Sequence, residues 1–448
     1  MPTLLDRWKS ALVGDTADLA ATCRQVARPL QRAEDLDPLL EQIGDARYVL
    51  MGEASHGTSD YYLWRYRLSQ RLIREKGFSF IAVEGDWPDS YRVNRYVKGY
   101  SDSGGNAREV LQAFARWPTW MWANEEVVAL ADWLRQHNTP LEASRKVGFY
   151  GLDVYSLWES MEAVIGYLER VDPEAARKAK ANYGCFEPYN EEGQNYAWAT
   201  MFVPTSCEEE AIAILHEMRR NLPRHTGDGH ETSFNAEQNA LVVQNAERYY
   251  RTMVRGGPDS WNVRDRHMVE TLERLMQLHG PDAKAIVWEH NTHIGDARFT
   301  DMASDGMVNV GQLVREHHAA EHVYLVGFGS YAGSVIAGSA WGAPMERVTV
   351  PPAQEGTWEA ALHLAKPQNQ LLLLSDLQDN REALASRGHR AIGVVYNPTQ
   401  ERYGNYVPSV LPRRYDAFLY LDTSQALHPL HIPSHPDGEP PDTYPWNV

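Results

Sequence analysis

The residues able to do chemistry collect where short apolar runs end. GEASHG at 52–57 sets Glu53 three positions before His56, and VEGDWPDS at 83–90 supplies Glu84 and Asp86. YGLDVYS at 150–156 supplies Asp153, and VWEHNTH at 287–293 supplies Glu289, His290 and His293. An imidazole flanked by carboxylates is the equipment of general acid–base catalysis, because a neutral histidine accepts a proton near pH 7. Arg65 follows His56 by nine residues, about two and a half helical turns along. It is a permanently charged donor for a carboxylate or a developing oxyanion, or else an ion-pair partner of Asp60 or Glu75 on its own helix. Each residue also has an ordinary structural use. Histidines are commonly hydrogen-bonded in cores, and acidic residues after strands cap helices, a role for which Ser59, Asp60 and Ser156 compete. Four successive strand ends carrying ionisable groups nevertheless point to one shared polar site, since buried charges must be paired.

The elements that would position these groups alternate. Apolar, β-branched runs predict strands at 46–52, 78–84, 147–152, 283–288, 322–327, 347–350, 369–374, 391–396 and 417–421. Their near-continuous apolar character suits strands covered on both faces. A helix over 59–76, stopped by Gly77, follows the first strand. This alternation predicts an α/β fold with a mainly parallel sheet, whose ligands bind beyond the carboxyl ends of the strands. From 156 to 281 the pattern is helical only, with helices at 156–171, 173–183, 206–221, 233–254 and 263–279 and a Gly-, Asp- and His-rich mobile loop at 221–234. The expected organisation is a catalytic unit over 1–427 with a helical insertion at 156–281, followed by a proline-rich tail at 428–448 that is extended or disordered.

Composition removes several classes. Acidic residues outnumber basic ones by 60 to 43, for a formal charge of −17, so nucleic acid and membrane surfaces are unfavourable partners. Three cysteines without a CxxC motif predict no disulfide framework and favour a reducing compartment. The charged N-terminus lacks the apolar core of a secretory signal, and no apolar run approaches a membrane span, so a cytoplasmic protein is expected. A Gly-Lys phosphate loop, a serine framed as in a nucleophile elbow and HExxH are all missing. GFGSYAG at 327–333 has GxGxxxG spacing, which favours a tight turn or close backbone approach over a dinucleotide fingerprint. No cofactor is expected.

GEASHG, VEGDW and WEHNTHIGDAR (288–298) together resemble the erythromycin esterase-like family, with CFEPY (185–189), WNVRDRHM (261–268) and GFGSYAGSV (327–335) also similar. The resemblance runs from about residue 39 to residue 421. It implies a three-layer α/β/α hydrolase that opens macrolactone rings with water, His56 matching the general base. Glu53, Glu84, Arg65, His290 and His293 would match the other polar residues of its cleft. The residues themselves agree with water attack, because no framed serine is present: Glu53 and Glu84 orient base and water, while Arg65, His290 and His293 serve the oxyanion or the leaving alkoxide. The partner would be a small-molecule ester or lactone. A divalent metal on the same histidines and glutamates is the alternative mechanism, disfavoured by the charge of Arg65, and a catalytically silent binding protein is a third reading. Aromatic residues in RWPTWMW (116–122) and CFEPYNEEGQNYAWATMF (185–202), Tyr189 and Trp198 among them, are candidates for lining a cleft or for filling a core.

Overall fold

The computed structural model describes residues 16–189, 196–197, 199, 206–221 and 228–431. Eleven strands are present among them: β1 (Arg28–Pro29), β2 (Tyr48–Met51), β3 (Phe80–Asp86), β4 (Gly148–Asp153), β5 (Ala285–Trp288), β6 (Val323–Gly338), β7 (Met345–Val350), β8 (Gln370–Leu373), β9 (Arg387–Arg390), β10 (Tyr406–Ser409) and β11 (Ala417–Ser424). One sheet runs in the order β1-β8-β11-β6-β2-β5-β3-β4, with β7 folded back on β6 and β9 and β10 pairing separately. The stretch from β11 to β4 is parallel throughout, whereas β1, β7 and β8 join antiparallel. The mainly parallel α/β sheet expected from the alternation of runs is therefore present.

The period of two along each central strand builds two cores. Val49, Met51, Ile81, Val83, Ile286 and Trp288 face one apolar cluster, while Tyr48, Leu50, Phe80, Ala82, Ala285 and Val287 face the other. Helix α1 (Ser59–Lys76) packs on the first face with Leu68 and Leu72, and α2 (Asp259–His279) packs on the second with Met268 and Leu272. This gives the three layers. Gly77 ends α1 in the left-handed region at φ 69°, which a residue without a Cβ adopts freely.

The helical stretch has its own apolar centre. Leu157–Val171, Pro173–Tyr183, Glu208–Asn221 and Asp228–Met253 are helices, and Val164, Leu168, Ile214 and Val243 share one cluster. The last of these begins at Asp228, inside the segment expected to be a loop, and residues 222–227 of that segment lie outside the described residues. Cys185 and Cys207 are disulfide-bonded with Cα atoms 6.0 Å apart, against the expectation from their spacing. Helix packing brings together two cysteines that form no local motif, while Cys23 is free and buried.

The strands differ from the sequence reading in several places: β1, β9 and β10 lie outside the expected runs, and two of those runs change. The run at 322–327 continues to Gly338, so GFGSYAG is strand and not turn. Its glycines mark close approach: a Cβ on Gly327 would lie 2.7 Å from the Tyr415 ring, and one on Gly329 would lie 2.7 Å from Phe418. No strand forms over 391–396. The neighbouring strand is Arg387–Arg390, a polar RGHR segment. Its side chains are buried because they find partners, His389 with Glu359 at 2.6 Å and Arg390 with Glu401 at 2.5 Å. Of the proline-rich tail, residues 428–431 are described: Leu430 donates its backbone N–H to the carbonyl of Ala123 and His428 pairs with Glu126. The rest of the tail lies outside the described residues. Among the described residues no helix is long and apolar enough to cross a membrane.

Candidate active site

Strand β2 delivers the first group. Beyond Met51 the chain turns through Gly52, and the backbone N–H of Asn291 donates to the Glu53 carbonyl at 2.8 Å, tying the ends of β2 and β5 together. His56 Nδ1 lies 2.9 Å from Glu53 Oε1, and Arg65 Nη2 donates to Glu53 Oε2 at 2.6 Å. Arg65 thus reaches back from α1 to the strand end. The helix neighbours considered for it are engaged elsewhere, Glu75 by Arg71 and Asp60 by the backbone of Gln425. The Arg65 guanidinium lies between the Tyr62 and Trp288 rings, 4.3 and 4.7 Å from their centroids, which supports a charge that is wholly buried.

A second group forms where β3, β4 and α2 meet. Arg264 donates from Nε and Nη2 to the two oxygens of Asp153 at 2.9 and 2.7 Å, and from Nη2 to Glu84 Oε1 at 2.7 Å. The other Glu84 oxygen accepts the backbone N–H of His290 at 2.8 Å. Arg264 Nη1 meets His293 Nε2 at 2.8 Å, while His293 Nδ1 meets Asp265 Oδ1 at 2.9 Å. Trp261 stacks flat on the His293 ring at 4.4 Å. The ring of His290 lies 4.8 Å from that of His56 and joins the two groups. Its Nδ1 lies 2.8 Å from the Thr292 hydroxyl and 3.3 Å from the Thr292 backbone N–H, and its Nε2 is a buried atom with no hydrogen-bond partner among the described residues. All six residues singled out by the sequence are therefore brought into one buried cluster, none more than 3% exposed.

The electrostatics follow from burying so much charge. Burial works to lower the His56 pKa, but Glu84 and then Glu53 outweigh it and the imidazole ends above its usual value. Burial works to raise the Glu84 carboxyl, yet the positive charge around it, the bonded Arg264 guanidinium above all, and the His290 backbone N–H hold it well below the ordinary range. His290 is pushed well below the usual histidine value by burial and by His56. Glu289 has both oxygens buried without a hydrogen-bond partner among the described residues, and burial with Glu84 and Asp265 drives its pKa well above the ordinary carboxylate value.

His56, Glu84, Asp153 and Arg264 open on a cleft whose walls include Asp86, Asp89, Arg116, Trp117, Trp122 and Tyr155. Its space of about 50 Å³ holds only a few water-sized molecules. Trp117 and Trp122 are core residues with one face on this cleft; Tyr189 instead packs edge-on against Tyr196 in the helical core, and Trp198 lies outside the described residues. The donor set does not suit a divalent ion. Glu84 and Asp153 are both spent on a guanidinium, and among the described residues no three His, Cys, Asp or Glu side chains are grouped to hold a metal.

Arg264 and Asp265 have no assigned role in the sequence reading, although WNVRDRHM contains them. Nothing in spacing ties Arg264 to Glu84, 180 residues away. Asp153 is legible as a charged strand end, but its bond to Arg264 is not.

A family model described as Erythromycin esterase matches residues 73–424. The chain belongs to the erythromycin esterase family. That match starts beyond Glu53, His56 and Arg65, so for these three the geometry is the firmer ground. Over 427 residues, covering 88% of this chain and 94% of the other, it is 21% identical to erythromycin esterase type II of Escherichia coli. Two solved structures share the esterase-family fold. A succinoglycan biosynthesis protein superposes with a TM-score of 0.74 at 22% identity, covering 92% of this chain and 98% of that one. A histidine-to-asparagine mutant of the erythromycin esterase EreC, in its open conformation, superposes at 0.66 with 16% identity, covering 89% and 97%.

Proposed function

We propose that this esterase-family protein hydrolyses a carboxylic ester or lactone by His56-assisted attack of water. The observation that carries the reading is the Arg65–Glu53–His56 chain. Arg65 pairs with the Glu53 carboxylate, Glu53 accepts a hydrogen bond from His56 Nδ1–H, and Nε2 of a cleft-lining imidazole is left as acceptor. Nε2 removes a proton as water adds to the carbonyl carbon. The resulting imidazolium returns that proton to the alkoxide when the tetrahedral intermediate collapses, releasing acid and alcohol. Glu84, with both oxygens already engaged, serves by placing His290 and raising the basicity of His56. The size of the cleft favours a small ester as the first probe. A macrolactone is the larger candidate, suggested by the Escherichia coli relative. No metal takes part in this mechanism.

The test is hydrolysis of a short-chain aryl ester by chelator-dialysed protein. Wild type should turn over, and His56→Ala should lose about 10²–10⁴-fold in kcat, the usual worth of a general base. A mutant within about tenfold of wild type would remove His56 from that role. Turnover that returns only when divalent cations are added would replace water activation by His56 with metal chemistry. Silence in every arm would favour a binding protein.

A further inference from the structure

We infer that Arg264 is the cation that meets the negative charge formed on the carbonyl oxygen, and that His293 is its positioning residue rather than a proton donor. The inference rests on the hydrolase reading above and names the stabilising group of the same site. It begins with the hydrogen bonds of His293. A guanidinium only donates, so the His293 Nε2 that meets Arg264 Nη1 at 2.8 Å is an acceptor and carries no proton. The single ring proton is on Nδ1, directed at Asp265 2.9 Å away. Neither nitrogen of His293 is available to give a proton to substrate. Asp265 is itself fixed by the backbone N–H of Val310 at 3.1 Å, and Trp261 closes the ring face.

What His293 does hold is Arg264. Asp153 grips one edge of the guanidinium, Glu84 shares that edge, and His293 takes another, so its plane is locked without rearrangement when charge develops. The other arginines near the site are placed differently. Arg65 is sealed behind Glu53 between two rings and does not line the cleft. Arg116 also lines it and is also paired, with Asp86, but among the described residues it has no hydrogen bond to Glu84. Arg264 alone among these three both faces the cleft and shares Glu84 with the His56 side of the site. A carbonyl oxygen whose carbon is attacked by water activated at His56 therefore lies in the field of a preorganised guanidinium in a water-poor setting, where such charge counts most.

The test uses Arg264→Lys, which keeps the charge that Glu84 and Asp153 require but loses the planar fork. On the aryl ester, kcat should drop about 10²–10³-fold with KM nearly unchanged, the pattern of an interaction made only in the transition state. Benzoate, which presents charged carboxylate oxygens, supplies a readout independent of turnover. It should bind wild type and His56→Ala alike, and Arg264→Lys at least about tenfold more weakly. His293→Gln retains an acceptor for Arg264 and should keep most activity, whereas His293→Leu should fall toward Arg264→Lys. Should Arg264→Lys fail to fold, the His293 pair decides. Wild-type kcat or wild-type benzoate affinity in a folded Arg264→Lys, no benzoate binding by wild type, or His293→Gln as inactive as His293→Leu would each overturn the assignment. Benzoate binding that depends on Arg264 in a protein with no ester turnover would sink the hydrolase reading and leave the anion site standing.

Discussion

At the scale of single residues, the directions of hydrogen bonds assign more than distances do. Arg65 can only donate, which fixes what a substitution at Glu53 must do. In Glu53→Gln the amide oxygen has to face Arg65, and the amide N–H₂ then faces His56 Nδ1. That forces the imidazole proton onto Nε2, the atom that must accept from water. An isosteric change should therefore cost about 10³–10⁴-fold in kcat, comparable with loss of the base itself, while the melting temperature shows the variant folded. Wild-type level turnover would mean that the tautomer is not controlled by Glu53. The same residue bears on pH. Because Glu84 and Glu53 raise the His56 pKa, its neutral form is lost as pH falls through a value above 6.5, so kcat/KM of wild type should decline on the acid side with a midpoint above that value. Glu53, His56, Glu84 and the histidine pair were legible in sequence because strand-end position and residue type suffice to mark them. Arg264 and Asp265 were not, since their relevance arises only when α2 crosses the ends of β3 and β4.

At the scale of elements, the parallel strands were legible because two buried faces impose an apolar run, and Gly77 marked the end of α1 correctly. Arg387–Arg390 was illegible for the opposite reason. A buried polar strand is stable only through partners at distant positions such as Glu359 and Glu401, and no local pattern announces them. β6 shows how an element far from the site still sets its geometry. Its distal half runs past the GEASHG loop, where Ile336 donates its N–H to the Gly57 carbonyl at 2.9 Å. A Cβ on Gly57 would sit 1.9 Å from the Ile336 carbonyl oxygen, a backbone atom that cannot swing aside. Gly57→Ala should therefore push the loop away from β6, costing about 1–3 kcal/mol in stability, and shift His56 with it. Loss of activity accompanied by a lower melting temperature is expected, and a variant normal in both would show that loop and strand separate without consequence.

Over the whole molecule, the perturbed groups oppose one another, and the balance changes with pH. His267, buried with its pKa lowered to about 4 by desolvation, stays neutral in the fold while the unfolded chain binds a proton below about 6.5, so stability it contributes is lost as pH falls through that window. Glu231 is held down to about 2: burial opposes this, but Lys98 and its hydrogen bonds prevail, and its contribution is lost as pH drops below the ordinary carboxylate value. Asp86 and Asp89 run the other way. Burial, with the partly offsetting charge of Arg116 for one and the repulsion of Asp86 for the other, raises them to about 6 and about 7. Each is protonated in the fold at pH values where the unfolded chain has released its proton, so each destabilises increasingly from about pH 4 until its folded pKa is passed. Between about pH 5 and 6 the His267 gain offsets only one of the two aspartate losses, and below about 4 only losses remain, so these four groups together favour stability at about pH 4 to 5, with a slow decline toward about pH 7 and a steep acid edge. Asp89→Asn isolates one side of this balance. Its neutral amide removes the cost of ionising a buried carboxyl, so its melting temperature should exceed that of wild type by a few degrees at pH 8 and converge with it near pH 4. A difference that is constant with pH would assign the effect to packing, and a lower melting temperature at pH 8 would show that Arg92, 3.5 Å away, compensates the Asp89 charge in full.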